Sequence, residues 1–206
     1  HAIKNITMGE GGAVTTNSSD LANKIRLNIS HGMIRDKNKM TNPPKDSPWY
    51  YQMNDYGWNY RASEISCALG LSQFRRIDTI IKRRNRTANL YKSYLDDNRH
   101  INLPKYSKND NGKGWHLFQI SVDFKKLNIK KQEFIKYLKK HSIGSQVHYI
   151  PLVKQPYYSR NKEKRYLIGA SAFYDKTLSI PMYTSLTKKD VKFICKVINN
   201  FFLNFK

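Results

Sequence analysis

A lysine lies just ahead of a glycine-rich turn near the start of the sequence. Lys4 precedes glycines at positions 9, 11 and 12, and residues 13–16 then have the Ala-Val-Thr-Thr composition of a short strand. A lysine amine becomes a nucleophile toward aldehydes when burial or neighbouring positive charge lowers its pKa. The glycine spacing matches neither of the common nucleotide-binding loops. Taken alone, Lys4 is therefore either a candidate for covalent catalysis or a solvated lysine beside a turn.

A second pair of residues suits a phosphate group. Asn59 and Arg61 come immediately before a helical pattern that begins near Ser63. An amide, a guanidinium and the N–H groups at a helix amino terminus all donate well to phosphate oxygens. The alternative is an ordinary helix cap beside a surface arginine.

A third group combines a histidine with tyrosines between prolines. Residues 144–151 and 155–158 contain His148, Tyr149 and Tyr157. Aromatic faces with hydroxyl donors suit a sugar or a nucleotide, and buried tyrosines at a domain seam would explain the same composition.

Apolar periodicity and turn residues predict the elements that carry these groups. We expect a helix capped by Ser19 or Asp20, an exposed loop over residues 35–49, a tightly packed helix over 63–74 and a long amphipathic helix over 76–97 that could join two domains. The remaining sequence predicts strands over 115–122 and 146–149 and helices over 130–141 and 187–202. The last helix opens with the capping pair Thr187 and Asp190. The alternation over the last hundred residues indicates a small α/β or α+β domain.

Composition limits the class of protein. The 206 residues are 39% hydrophobic, and no apolar stretch approaches the roughly 18 residues of a membrane span. No secretory signal can be identified, so we expect a chain that begins inside a longer protein. The two cysteines, Cys67 and Cys195, have no nearby metal-binding partner in sequence and are predicted to be buried free thiols in a reducing compartment rather than a disulfide, which indicates a cytoplasmic location. No metal site is predicted.

The net charge of +22 arises from 37 basic and 15 acidic residues. Such a charge attracts polyanions. The lysines are scattered, however, and the densest basic run, residues 82–86, has no interleaved aromatic residue that could stack on bases. The distribution favours a solvated lysine-rich surface over a nucleic-acid-binding fragment, which stays as an alternative.

Taken in order, these segments resemble the DegT/DnrJ/EryC1/StrS family of nucleotide-sugar aminotransferases. Residues 1–13 resemble the segment with the family's cofactor-bearing lysine, residues 30–32 match a segment after its next helix, and residues 57–73 resemble its Asn-Tyr-Arg segment. The resemblance implies the α/β carboxyl-terminal portion of a fold-type-I pyridoxal-phosphate-dependent transferase. Residues 1–80 would complete the large cofactor-binding domain, and residues 81–206 would form a linking helix and the small domain.

The resemblance also implies roles for individual residues. Pyridoxal 5'-phosphate would be the cofactor, with Lys4 as the catalytic Schiff-base lysine and Asn59 and Arg61 at its phosphate. The implied substrate-binding residues are His31, His148, Tyr149 and Tyr157.

Residues 146–158 are most similar to the branch of the family that aminates C4 of UDP-4-keto-6-deoxy-N-acetylhexosamines for pseudaminic-acid-type sugars. The implied amino donor is glutamate. The implied assembly is a homodimer in which the Asn59 segment serves the neighbouring subunit.

A complete family member carries about as much sequence again before the lysine, including groups that hold the pyridine ring. The resemblance therefore implies that this chain alone is inactive. A catalytically inactive regulator on the same scaffold is the other alternative that the sequence leaves open.

Overall fold

The structure is a computed structural model that describes residues 3–105, 114–159, 167–203 and 205. Contacts between Cα atoms divide the chain into two compact units, residues 1–75 and residues 76–206. In the described ranges, no helix combines the length and the apolar character that a membrane span requires.

The first unit contains two helices and a short antiparallel strand pair. Its elements are α1 (Ser19–Asn28), β1 (Met33–Ile34), a 3-10 helix (Lys37–Lys39), β2 (Gln52–Met53) and α2 (Glu64–Phe74). Strand β1 pairs with β2 so that Met33 lies opposite Met53.

Serine side chains begin both helices of the first unit. The Ser18 hydroxyl accepts from the Leu21 amide, and the Ser63 hydroxyl accepts from the Ser66 amide. The predicted caps of α1, Ser19 and Asp20, are wrong because Ser18 has the extended backbone that a capping residue needs. Residues 13–16 do not form the predicted strand, and the predicted loop over 35–49 contains the 3-10 helix.

Apolar side chains of the first unit are not buried. Among residues 3–75, Gly32 alone is classed as buried. Helix α2 contains no buried residue, and Ile65 is 84% exposed. The prediction of a tightly packed helix over 63–74 is therefore right about the helix and wrong about its packing, because the elements of this unit leave its apolar side chains exposed.

The second unit is built around a three-stranded antiparallel sheet. Its elements are α3 (Ile77–Leu95), β3 (Ile101–Asn102), β4 (Phe118–Val122), α4 (Lys131–Lys140), a 3-10 helix (Leu152–Lys154), α5 (Pro156–Ser159), α6 (Ile168–Lys176), β5 (Thr177–Ile180) and α7 (Lys188–Phe202). The strand order is β3-β4-β5.

Helix predictions in this unit hold better than strand predictions. Helix α7 begins with the expected reciprocal cap, in which Thr187 and Asp190 bond to each other's backbone N–H groups. Strand β4 begins three residues later than predicted. Residues 146–149 form only an isolated bridge, between Gln146 and Ser179.

Burial of side chains alternates along β4, so that one face of the sheet packs in the core and the other does not. Phe118, Ile120 and Val122 are fully buried, whereas Gln119 and Ser121 are only partly buried. Antiparallel sheets with one packed face show this pattern. Helices α3, α4 and α7 complete the core.

A buried arginine connects α3 to two later segments of the same unit. Nη1 of Arg84 donates to the carbonyl oxygens of Trp115 (2.9 Å), His116 (3.3 Å) and Met182 (3.2 Å). The side chain is only 6% exposed, and burial lowers the pKa of Arg84. Its hydrogen bonds offset the penalty for placing a charge in the interior.

The two cysteines lie in different surroundings. Both are free thiols; Cys195 is buried in α7, and burial raises the pKa of the Cys195 thiol to about 12. Cys67 is exposed on α2. The prediction of a buried thiol is confirmed for Cys195 and wrong for Cys67, because α2 has no covering layer in this unit.

Candidate functional site

Lys4 lies in a turn whose path depends on glycine. The Lys4 residue is exposed, while His1 and Ala2 of the same predicted segment lie outside the described residues. Gly9 and Gly11 have φ angles of +81° and +153°, a region that residues with a side chain rarely adopt. The Thr7 hydroxyl accepts from the Gly9 amide at 3.1 Å and fixes the turn after the lysine.

Met8 connects this turn to α2. A Cβ atom added to Gly11 would lie 2.8 Å from Sδ of Met8, and one added to Gly70 would lie 3.1 Å from Cβ of Met8. Both glycines therefore allow the Met8 side chain to pack closely between the turn and the helix. Helix α2 thereby positions the segment that contains Lys4.

Residues 30–32 and 57–60 are joined through their main chains. Three hydrogen bonds connect these segments and the end of α1: His31 N to Trp58 O (3.0 Å), Trp58 N to Asn28 O (2.6 Å) and Tyr60 N to Ile29 O (2.9 Å). Ser30 and Asn59 form an isolated antiparallel bridge. Two segments that the sequence singled out separately are therefore one structural feature.

Two glycines make this close approach possible. A Cβ atom on Gly32 would lie 1.7 Å from the Asp55 carbonyl oxygen, and one on Gly57 would lie 2.3 Å from the Gly32 amide nitrogen. Gly32 also has a φ of +67°. Any side chain at either position would force backbone to move.

The crossing segments bring three of the predicted site residues together. His31, with φ at +60°, is partly buried, and Asn59 and Arg61 are exposed. Nη1 of Arg61 lies 3.4 Å from Oγ of Ser30, to which it donates. Asn59 and Arg61 lie shortly before the amino terminus of α2, where an amide, a guanidinium and helix N–H groups suit an anion.

Asn59 is flanked by aromatic residues. The contacts between their rings were not predicted from the sequence. The ring of Trp58 stacks on Tyr60 at 5.8 Å between centroids and meets Tyr56 edge-on at 5.2 Å. The signal available in the sequence was the alternation of aromatic residues at positions 56, 58 and 60.

The predicted residues of the second unit form a separate group around His148. Nδ1 of His148 lies 2.7 Å from Oγ of Ser179, and the imidazole meets the Tyr149 ring edge-on at 4.7 Å. Tyr149 is 67% exposed. Ser179 is another contact that the sequence reasoning missed, since a serine in a short strand carries no distinguishing signal.

Tyr157 lies on α5 and packs edge-on against Tyr158 at 5.2 Å between ring centroids. It is 76% exposed. Neither Tyr149 nor Tyr157 belongs to the core of its unit, so both rings are accessible to a ligand. Across the described ranges, no group of three or more histidine, cysteine or acidic side chains is placed to hold a metal ion.

Comparison with known proteins decides the family. Residues 1–199 match the model of the DegT/DnrJ/EryC1/StrS aminotransferase family. The chain belongs to this family. A relative from Helicobacter pylori, UDP-4-amino-4,6-dideoxy-N-acetyl-beta-L-altrosamine transaminase, is 32% identical over 206 residues, which are 100% of this chain and 52% of the relative. The spore coat polysaccharide biosynthesis protein SpsC from Bacillus subtilis is 33% identical, with 97% and 51% covered.

Similar solved structures agree with this fold. Helicobacter pylori PseC, described as an aminotransferase involved in the biosynthesis of pseudoaminic acid, is similar with a TM-score of 0.84 and 31% identity, over 100% of this chain and 52% of that one. DesV from S. venezuelae, at 23% identity and a TM-score of 0.81, supports the fold alone. The predicted fold class is confirmed, and the chain spans about half the length of the curated relatives that it matches.

Proposed function

We propose that the complete protein containing this chain is a pyridoxal-phosphate-dependent aminotransferase. It moves an amino group from glutamate to C4 of a UDP-4-keto-6-deoxy-N-acetylhexosamine, for a pseudaminic-acid-type amino sugar. The observation that carries this proposal is the similarity, at 32% identity over the whole chain, to a protein named as a transaminase of such a nucleotide sugar.

The donor set in the first unit fits pyridoxal phosphate. Lys4 provides an exposed amine, and Asn59 and Arg61 provide neutral and charged donors near the amino terminus of α2. An amine for the aldehyde and several donors for the phosphate are the groups that this cofactor requires. When bound, pyridoxal phosphate supplies an electron sink for charge that develops at the substrate carbon.

In this proposal Lys4 has two roles. Its Nζ atom would hold the cofactor, and the same amine would accept and return a proton at the reacting carbon of the substrate. Asn59 and Arg61 bind the cofactor phosphate and orient it. The nucleotide sugar is contacted by His31, His148, Tyr149 and Tyr157.

We further propose a cytoplasmic homodimer in which the Asn59 segment contributes to the site of the neighbouring subunit. The exposure of apolar side chains on α2, including Ile65 and Phe74, supports a helix that is covered in the assembled protein. Residues 1–80 would belong to the large domain and residues 81–206 to the linking helix and small domain.

The first test is cofactor attachment in the complete gene product and in the chain of residues 1–206. Each protein is mixed with pyridoxal phosphate, reduced with borohydride and mapped by peptide mass spectrometry. In the complete gene product we expect the label on the peptide with Lys4, and we expect Lys4→Arg to lose it. In the chain of residues 1–206 we expect no stable cofactor complex. Lys24→Arg, an exposed lysine of the same unit, is the matched control.

The second test is turnover with the 4-keto sugar and glutamate. Amino-sugar formation by the complete protein, lost in Lys4→Arg, would support the proposal, and turnover that survives this substitution would exclude it. We expect the chain of residues 1–206 to be inactive alone.

Cofactor binding without turnover in the complete protein would indicate a regulator. Salt-sensitive polynucleotide binding without cofactor would indicate a nucleic-acid-binding protein.

A further inference from the structure

The positive charge of this chain is concentrated in the second unit. Residues 1–75 hold nine of the 37 basic and six of the 15 acidic residues, so nearly all of the net charge of +22 lies in residues 76–206. A field of one sign over part of a molecule attracts anionic surfaces and polymers. The position of the lysines in the fold decides where such a partner can bind.

Two neighbouring helices carry six of these charges on their outer sides. Helices α4 and α7 pack together through the rings of Phe134 and Phe201, whose centroids are 4.8 Å apart, and both helices bury one side in the core of the unit. Their other sides are exposed to solvent. The exposed lysines on these sides, which we call the lysine face, are Lys136, Lys139 and Lys140 on α4 and Lys189, Lys192 and Lys196 on α7.

Carboxylates do not neutralise the lysine face. Within the described ranges, none of its six ammonium groups forms an ion pair. The one acidic residue of each helix lies in the first turn, where it caps the helix. Glu133 accepts from the Lys130 amide at 3.4 Å, and Asp190 accepts from the Thr187 amide at 2.8 Å. The six charges are therefore available to a partner outside the chain.

An exposed aromatic ring stands among the lysines of α7. Phe193 is 51% exposed, whereas the next residue, Ile194, is buried. Lys189 and Lys196 lie four residues before and three residues after Phe193, which places the three side chains on one side of the helix. Such a combination suits the interface of a bilayer, where an apolar ring enters the acyl boundary and lysine stems extend toward the headgroups.

We propose that the lysine face binds the surface of a membrane that contains anionic phospholipids, with the Phe193 ring at the acyl boundary. Clusters of about four to eight basic residues on a helix are typical of binding to such headgroups. The proposal goes beyond the aminotransferase function and adds a site for the whole protein.

A nucleic acid is the other polyanion that the charge would attract. Proteins that bind single strands stack successive bases on several rings along a groove. The lysine face is instead the outer side of two helices, and Phe193 is its one exposed ring among the described residues. A broad anionic plane therefore fits this surface better than a strand.

Vesicle flotation of the complete gene product tests the proposal. The probes are phosphatidylcholine vesicles with and without an equal part of phosphatidylglycerol. We expect binding only to the vesicles with phosphatidylglycerol, and a loss of that binding as the salt concentration rises, because counterions screen exposed charges. Equal binding to both kinds of vesicle, or binding to neither, would overturn the proposal.

Charge-removing variants locate the binding surface. The triple variant Lys189→Gln, Lys192→Gln and Lys196→Gln should weaken binding to the anionic vesicles by at least about 20-fold, since each lysine near such a surface contributes a factor of roughly five. A matched control removes three exposed lysines of the first unit and should change binding by less than about three-fold. Its substitutions are Lys24→Gln, Lys37→Gln and Lys45→Gln. An equal loss in the control would indicate total charge instead of a site.

Phe193→Ser tests the ring without changing the charge. We expect it to weaken vesicle binding by about 5- to 10-fold, because part of an apolar side chain no longer leaves water. Binding that is unchanged in this variant would overturn the insertion of the ring. Far-ultraviolet circular dichroism and the midpoint of thermal unfolding verify that each variant folds, as expected for exposed side chains.

Polynucleotide binding separates the two anionic partners. A protein that ignores both kinds of vesicle, but binds polynucleotide with an affinity that the lysine triple variant loses, would have a nucleic-acid site here and would overturn the membrane proposal. Vesicle binding requires no turnover. A failure of the proposed aminotransferase function would therefore leave this measurement decisive.

Discussion

The two units of this chain place their apolar side chains differently. The second unit buries residues from β4, β5, α3 and α7 in one core, whereas the first unit leaves the side chains of α2 exposed. In the first unit, main-chain hydrogen bonds and close glycine contacts hold residues 30–32 against 57–60. Burial of apolar side chains stabilises the second unit, whereas hydrogen bonds and close contacts between main-chain atoms shape the first unit.

This difference coincides with a difference in proposed roles. The candidate cofactor residues, Lys4, Asn59 and Arg61, lie in the open unit, while His148 and Tyr149 lie in the unit with its own core. We infer that the second unit supplies most of the chain's stability. The first unit, in which α2 has no buried residue, contributes less.

The largest expected difference is in thiol reactivity. In the chain of residues 1–206, Cys67 should react with an aromatic disulfide reagent within seconds to minutes. Cys195 should react at least about 1,000-fold more slowly, because it becomes accessible only when the core opens. Its raised pKa of about 12 reduces the reactive thiolate further. Cys67→Ser and Cys195→Ser assign the phases, and equal rates would contradict the comparison.

Two isoleucine truncations test the same contrast in stability. Ile198→Ala in α7 removes a fully buried side chain and should lower the free energy of unfolding by about 2–5 kcal/mol. Ile65→Ala in α2 removes one that is 84% exposed and should change it by less than about 0.5 kcal/mol in this chain. Urea unfolding measures both. A large effect at Ile65 would show that the first unit has a core of its own.

Arg84→Met tests the polar link within the second unit. The substitution leaves the carbonyls of Trp115, His116 and Met182 without the donor that they share, and should destabilise the unit by about 1–3 kcal/mol. Arg83→Met, at the exposed neighbouring position, is the control and should be nearly neutral. Equal effects in thermal unfolding would indicate general charge removal instead.

The smallest effect concerns pH. The Thr187 hydroxyl donates to Asp190 and holds the pKa of Asp190 below its usual value. Since the folded-state pKa is depressed, this group stabilises the protein above the ordinary aspartate range, about 3.9, and the contribution is lost as pH falls through the folded value. Asp190→Asn and Thr187→Ala should each reduce the fall in the free energy of unfolding between about pH 5 and pH 2. A double variant that flattens it further than either would show that the two residues are not coupled.

Local signals predicted α1, α2, α3, α4 and α7, whereas α5 and α6 were not predicted. Helices α2, α3, α4 and α7 fall within one or two residues of the predicted bounds, because apolar periodicity and capping side chains are encoded within each helix. Strands depend on partners far away in sequence. Residues 146–149 look like a strand but make only one bridge, and residues 13–16 make none, because the pairing edge decides the outcome.

The sequence predicted which residues belong to the candidate site, but it did not predict how their segments are arranged. The resemblance selected Asn59 and His31, but the hydrogen bonds that bring their segments together join residues about thirty apart and leave no local pattern. Ser179 was missed for the same reason, since its contact with His148 depends on the bridge from Gln146 to β5.

The close contact between Gly32 and Gly57 determines which positions of this scaffold can be substituted. The crossing of residues 30–32 with 57–60 is built from backbone atoms, so its geometry does not depend on the identity of the side chains at positions 58, 59 and 60. Those positions can be exchanged by natural variation or in a designed library while the loops keep their course. Glycines 32 and 57 must stay fixed. A scaffold with this property can acquire new ligand preferences by single substitutions without first having to be refolded around them.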